Sequence, residues 1–540
     1  MKRIKLFTFI LMTAWIAGSC SLERFPETEL SDENYWNSGQ DLKQACNYLY
    51  TLLPGQDFSD NKTDLQYGQN PSSVSEGSWL IPSTSADWND PYRMIFAANN
   101  IIEKSVKAET TEAVKNRYVA EARFFRAWAY FNLVSKYGDV PLLLKTLDIN
   151  SPELSAPRTP REDVVSQIYA DLDFGALNLP AFKALGTADY GRVSKSTALA
   201  LKARVALFEG TRQKFHQYGQ FAPHLTAAVA AAEAVMAEGH ALYTAKGVDS
   251  YYYLFQYEGE GPANSEVIFA KVYGQNIANS ILSHKLGRNL EQGYMSSTRS
   301  MIETYLCTDG LPMSISPLAV KPEVNSNSIF ANKDPRLNAS VFKTGDTWIS
   351  NTYKPSISFA KTGYCVKKYF VIADWNGQDS YVDVHLMRYA EVLLAYAEAK
   401  FELNGQITDA ELDKSINLLR ARVSMPKLTN AFVTANGLNM RDEIRRERTV
   451  ELAQEGSRYQ DINRWKISET VLPQAILGAA YFASEYVNVK NPILTPEGLF
   501  VVQSKETRKF DPAKDYLYPV PLREISISGG AVTQNPNWLY

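Results

Sequence analysis

The sequence predicts a mainly α-helical fold built from packed helix pairs, with a loop-rich part that carries a few short strands. Three observations lead there. Residues 119–137, VAEARFFRAWAYFNLVSKY, are apolar on nearly every helical face, so this helix must be buried against several neighbours. Alanine-rich helical stretches that stop at glycine recur two at a time through residues 89–240 and again from 384, as in degenerate tetratricopeptide-like packing. Between them, residues 241–383 are of a different material, rich in Tyr, Gly, Asn and Ser with only short apolar runs.

Taken in order, the chain opens with Lys2, Arg3 and Lys5, an apolar run from Leu6 to Ala17, then Gly18, Ser19 and Cys20. That is the layout of a secretory leader over residues 1–19 ending at a lipidated cysteine, and the run is too short to span a bilayer. Ala17 stands where a lipobox more often has Leu, and the alternative is an ordinary cleaved leader with Cys20 as a stray thiol. Residues 20–33 are polar and contain Pro26, which suits a tether. A single large domain then fills 34–540, with helical scaffold over about 34–53, 89–240 and 384–540 and loop-rich parts over about 54–88 and 241–383.

Within the scaffold, residues 89–105 read as a helix with Pro91 in its first turn, partnering 119–137, which stops at Gly138. Residues 161–177 precede 194–209, which ends at Gly210, and 225–238 ends at Gly239. Later come 387–403, ending at Gly405, then 409–424 and 441–465. Residues 266–273 are one of the short apolar runs in what reads as long loops with a few strands, and Tyr251, Tyr252, Tyr253 and Tyr257 would alternate sides if they formed a strand.

Composition narrows the function classes. The net charge of -3, with no Lys/Arg block outside the leader, argues against a nucleic-acid footprint. Beyond Cys20, Cys46, Cys307 and Cys365 are widely spaced, with no CxxC, and are expected to pack as small hydrophobes. His216, His224, His240, His284 and His385 are scattered, so no metal site is predicted and no cofactor either. HExxH, GxSxG, phosphate-loop and dinucleotide patterns are missing from the sequence, which points away from an enzyme. Aromatic content is the unusual feature: 12% of the chain, with many rings in polar stretches where they could offer stacking faces.

Four blocks together resemble the SusD/RagB lipoproteins of Gram-negative outer membranes. These are AEARFFRAWAYFNLVSKYGDVPLL at 120–143; Asp309-Gly310 with Lys333-Asp334-Pro335-Arg336; LMRYAEVLLAYAEAKFELNG at 386–405 with IRRERTVELAQEGSRYQDINRWK at 444–466; and YLYPVPLREI at 516–525 with Asn535-Pro536. The resemblance implies four tetratricopeptide-like helix pairs beside a loop-rich ligand-binding subdomain. It also implies nutrient capture at the cell surface, an outer-membrane location through the lipid on Cys20, and a SusC-like TonB-dependent transporter as partner. In the third block, Arg445, Arg446, Glu447, Arg448, Glu451 and Glu455 recur at spacings of three and four, where ion pairing is the expected role and paired-carboxylate catalysis is not.

A sugar binder needs flat aromatic faces for pyranose rings and amide or guanidinium groups for hydroxyls. Tyr67, Asn70 and Trp79 in the early loop, and Arg288, Asn289, Gln292 and Tyr294 in GRNLEQGYMSS, supply both and are the predicted ligand residues. Trp348, Tyr353 and Trp375 are further candidates in later loops, whereas Trp88 and Tyr92 look like a structural pair. The leading expectation is therefore a surface glycan- or oligosaccharide-binding lipoprotein. The alternatives are a RagB-like peptide binder and, more distantly, a surface hydrolase.

Overall fold

The structure, a computed structural model, describes residues 35–56, 59–274, 282–377 and 379–539. The expected leader, Cys20 and the tether lie outside these residues. Helix α1 (Gly39–Thr51) starts at a capping box in which Ser38 Oγ accepts from the Asp41 amide and Asp41 Oδ2 accepts from the Ser38 amide at 2.8 Å. It leads into α2 (Ala86–Lys104), α3 (Glu112–Tyr137), α4 (Arg161–Asn178), α5 (Lys195–His216) and α6 (Phe221–Met236). After the loop-rich half come α7 (Tyr389–Asn404), α8 (Met440–Glu451) and α9 (Arg458–Arg464). From α2 to α8 each helix packs on the next, giving the row of helices expected from the periodicity.

The largest core lies within this row. Phe124, Phe125 and Ala127 of α3 are fully buried, and Trp88 is buried beside Tyr137 at 4.9 Å, with Tyr92 donating from its hydroxyl to the Pro141 carbonyl. Cys46, Cys307 and Cys365 are buried free thiols. Strand β2 (Val267–Lys271) pairs antiparallel with β6 (Val384–Arg388) and inserts Phe269 between Phe124 and Trp128, so one strand of the loop-rich stretch closes the scaffold's core.

Several boundaries differ from the sequence reading, each for a physical reason. Helix α2 begins three residues earlier, at Ala86, which leaves Pro91 inside the helix. Helix α5 runs through Gly210 to His216, because this glycine is a point of close approach: a Cβ there would stand 2.7 Å from Leu225 of α6. The stretch 409–424 breaks at Ser415 into Asp409–Asp413 and Ile416–Arg422. The single helix expected over 441–465 breaks between α8 and α9, where Gln454 and Gly456 both take positive φ, 65° and 77°. The Tyr cluster at 251–253 is a turn of helix, Ser250–Tyr253, rather than a strand.

The loop-rich half has two smaller cores. One gathers Tyr251, Phe255, Leu286, Leu290, Phe342, Tyr353, Tyr369 and Phe370; the other gathers Leu65, Ile302, Tyr305, Phe330, Tyr364, Tyr486 and Phe500. The second draws in the hairpin β7 (Ile476–Ala480) and β8 (Leu499–Gln503), so this C-terminal segment packs with the loop-rich half rather than with the helices.

A buried ionic network joins the halves. Arg336 bonds Asp334 (2.7 Å), Glu447 (2.6 Å) and Glu451 (3.0 Å); Arg388 bonds Glu266, Glu451 and Glu455; Arg422 bonds Glu266 and Glu451; Arg420 bonds Glu447; and Lys368 bonds Glu455. Five cations meet five anions, so the charge balances out of water. Burial alone would raise the Glu451 carboxyl, but Arg422, Arg388 and Arg336 outweigh it and hold it at about 2. The DPR and RRERTVELAQEG motifs are thus the two sides of a structural seam, and Glu447 and Glu451 are engaged with arginine.

Candidate ligand-binding site

The early loop and the 288–294 segment come together through a short antiparallel pair. Strand β1 (Gln66–Tyr67) pairs with β3 (Ser296–Ser297), placing Tyr67 opposite Ser296. Just beyond it, Gln69 Nε2 donates to the Gln292 carbonyl at 2.6 Å. A Cβ on Gly68 would lie 3.4 Å from the carbonyls of both Asn70 and Tyr294, so these two segments are in backbone contact.

Arg288 and Asn289 belong to the short helix Leu286–Glu291, which ends in a left-handed glycine cap at Gly293 (φ 72°). The Tyr294 amide donates to the Asn289 carbonyl and the Gly293 amide to that of Leu290, which is the two-bond closure of a Schellman motif. This turn projects Tyr294 into solvent, 45% exposed. Gly293 also touches Phe359: a Cβ there would come within 1.8 Å of the Phe359 carbonyl oxygen, so only glycine fits.

Behind this turn stands a row of near-parallel rings. Phe359 stacks on Trp348 (centroids 5.9 Å, 10° between planes), Trp348 on Phe370 (5.0 Å, 21°) and Phe370 on Trp375 (6.5 Å, 24°). The Arg288 guanidinium covers the end of the row, 3.8 Å from the Trp375 ring centre. Strand pairing of β4 (Thr347–Trp348) with β5 (Asn351–Thr352) presents Trp348, and the 3₁₀ turn Ile372–Gly377 presents Trp375. The Tyr257 hydroxyl pins that turn by donating to the Asp374 carboxylate at 2.8 Å. Phe370 is buried, while Phe359, Trp348, Trp375 and Arg288 are half-buried.

Of the residues predicted from sequence, Asn70, Arg288, Asn289, Gln292 and Tyr294 lie on the two segments that meet here, with Asn70, Gln292 and Tyr294 exposed and Arg288 and Asn289 half-buried. Tyr67 needs correction, and Trp79, half-buried, packs elsewhere. Tyr67 is only 7% exposed, its ring is covered, and burial together with the Glu76 charge raises its phenol, so it has no face to offer. Trp79 wedges edge-on against Tyr518 at 4.2 Å and Trp538 at 5.7 Å, where it fastens the C-terminal segment to the scaffold. Tyr353 is 1% exposed and belongs to the core. Phe359 and Phe370 carry no signal in the sequence, since no periodicity marks either. Among the described residues no group of three or more His, Cys, Asp or Glu side chains is placed to hold a metal ion.

Fold and site together define a helical-repeat scaffold bearing a loop-borne aromatic face. A family model described as "SusD family" matches residues 265–538, just over half of the chain, and one described as "Starch-binding associating with outer membrane" matches residues 51–207. The chain belongs to the SusD/RagB family. Similar proteins include a "SusD-like protein P2" of Formosa agariphila, 24% identical with all of both chains covered. Among solved structures, a SusD-like carbohydrate binding protein from Bacteroides fragilis has 26% identity and a TM-score of 0.77, covering 91% of this chain and 99% of its own. A surface glycan-binding protein A from Bacteroides fluxus shares the fold, with 18% identity, a TM-score of 0.64 and coverage of 93% and 100%.

Proposed function

We propose that the chain is a cell-surface glycan-binding lipoprotein that captures an oligosaccharide and passes it to a TonB-dependent outer-membrane transporter. The observation that supports the binding step best is an exposed ring, Tyr294, beside the turn that packs on Phe359 of a half-buried aromatic row, with Arg288 stacked on the end of that row and Asn70, Asn289 and Gln292 on the adjoining segments. Flat rings match the apolar faces of pyranoses, and amides match their hydroxyls. Family membership supports the same reading, as does the likeness to the Bacteroides fragilis relative, itself described as a carbohydrate binding protein. Outer-membrane association is in keeping with the description of the family model that matches residues 51–207. Acylation of Cys20 would hold the domain at the surface, each buried methylene adding about 0.8 kcal/mol.

Calorimetric screening of the full chain against plant, host and microbial glycans and against peptide mixtures tests the binding step. Glycan binding is expected; binding of peptides alone overturns it. For the anchor, metabolic labelling with a fatty-acid analogue should mark the chain and fail to mark Cys20→Ser. Co-purification of a transporter with the chain from detergent-solubilised outer membrane is expected if the delivery step holds.

A further inference from the structure

Arg288 is held by one face and left free at its rim. The Trp375 stack at 3.8 Å engages the flat face of the guanidinium, whereas its five N–H donors lie in the plane. Among the described residues no carboxylate stands within 4.0 Å of these nitrogens and no acceptor takes a hydrogen bond from them. Of the charged residues beside it, Lys285 is ion-paired and Glu291 is not, among the described residues. Lys285 pairs with Asp379 at 2.8 Å, and the charge of Glu291, one turn on, bears on the buried Cys365 thiol. The seam arginines differ completely, since Arg336, Arg388 and Arg422 each have carboxylate partners.

The loop that carries Trp348 and Phe359 adds a second observation. Residues 342–363 contain Lys343, Lys354 and Lys361 against a single acid, Asp346, in a chain whose net charge is -3. Asp346 is itself taken by Lys367 at 2.8 Å, which lies outside that stretch. Lys354 and Lys361 are exposed, and among the described residues neither has an ion-pair partner. This loop is therefore locally positive on a molecule that is negative overall, with Glu291 and Asp374 the acids on the neighbouring elements.

We propose that this site takes an anionic saccharide, whose carboxylate or sulfate oxygens accept from the Arg288 fork while a sugar ring lies against Tyr294. This rests on the glycan-binding reading and adds the charge class of the ligand. A guanidinium pre-positioned by stacking meets two oxygens at once, a geometry that lysine cannot reproduce. The exposed lysines add attraction that weakens as salt rises.

The test is calorimetry of the full chain with an oligogalacturonate, a sulfated galactan oligosaccharide, and the carboxyl-reduced and desulfated counterpart of each, at low and high salt. At least one anionic ligand should bind about tenfold more tightly than its neutral counterpart, and which one does so identifies the anion. Arg288→Gln should erase that margin and Arg288→Lys should restore part of it, with melting temperatures close to that of the unaltered chain reporting that both variants are folded. Equal binding of anionic and neutral forms, or a margin that survives Arg288→Gln, overturns the proposal and leaves the glycan reading standing. Failure of all four saccharides to bind overturns both.

Discussion

Aromatic rings in the scaffold core meet mostly edge-on, whereas one row in the loop-rich half is stacked face to face among other pairs that are edge-on. Phe124 and Phe269 cross at 82°, Trp128 and Phe269 at 72°, Phe131 and Phe208 at 84°. The row from Phe359 to Trp375 is stacked at 10°, 21° and 24°. Edge-on pairs interlock and use up every face, as a core requires. A row of parallel plates instead terminates in half-buried rings at both ends. The charges differ too: seam arginines are each paired with carboxylates, and among the described residues Arg288 is not. One rich supply of aromatic and cationic side chains therefore serves two purposes, distinguished by geometry rather than by composition.

The largest expected effect comes from breaking the paired side. Glu451→Ala removes the carboxylate that Arg336, Arg388 and Arg422 share, leaving the buried network with one more cation than anion, and should cost about 3–5 kcal/mol in urea unfolding. The same network sets an acid limit. Glu451 and Glu455 are held at about 2, below their ordinary value of 4.5, so their stabilising contribution is complete above that value and fades as pH falls towards 2. Glu451→Gln should flatten that part of the pH–stability curve.

Next is the hinge of the binding face. Gly293→Val places a side chain against the Phe359 carbonyl at a positive φ, and should cost about 1–3 kcal/mol while displacing Tyr294. Loss of ligand binding out of proportion to the fall in melting temperature would separate displacement of the site from general unfolding.

A smaller effect of opposite sign is expected at Glu260. Burial, with Asp383 beside it, raises its carboxyl to about 8, so the folded state retains a proton that the unfolded chain releases near 4.5. That group loses stability for the fold as pH rises from 4.5 to 8. Glu260→Gln should therefore stabilise the chain at pH 8 by about 1–2 kcal/mol, after allowance for solvent screening, and change little at pH 5. Thermal melts at both values check the sign.

How far the sequence could be read follows from the same contrast. The helices of the scaffold were legible because burial on one side imposes a period, and because Gly138 and Gly405 stop them where the chain turns. Gly210 misled, since a glycine that admits Leu225 looks the same in sequence as one that ends a helix. The break at Gln454 was hidden by a charge pattern that continues across it. In the loop-rich half no period operates. Asn70 and Tyr294 stand exposed where polar and aromatic types occur together in the sequence, whereas Tyr67, which meets the same criterion, is buried, and Trp79 is half-buried against Tyr518 and Trp538. Phe359, Phe370 and Trp375 form one stack with Trp348 and Arg288 only after separate loops fold back on one another, a contact that no local pattern encodes.

The central claim, that the exposed end of the loop-rich half binds ligand while equally aromatic positions along the scaffold only hold the fold, is tested most directly by titrating one bound oligosaccharide into Tyr294→Ala and Trp79→Ala beside the unaltered chain. The account predicts that Tyr294→Ala weakens binding about tenfold or more with little change in melting temperature, and that Trp79→Ala lowers the melting temperature yet keeps the affinity within about twofold. Undiminished affinity in Tyr294→Ala, or binding lost in a folded Trp79→Ala, would contradict it.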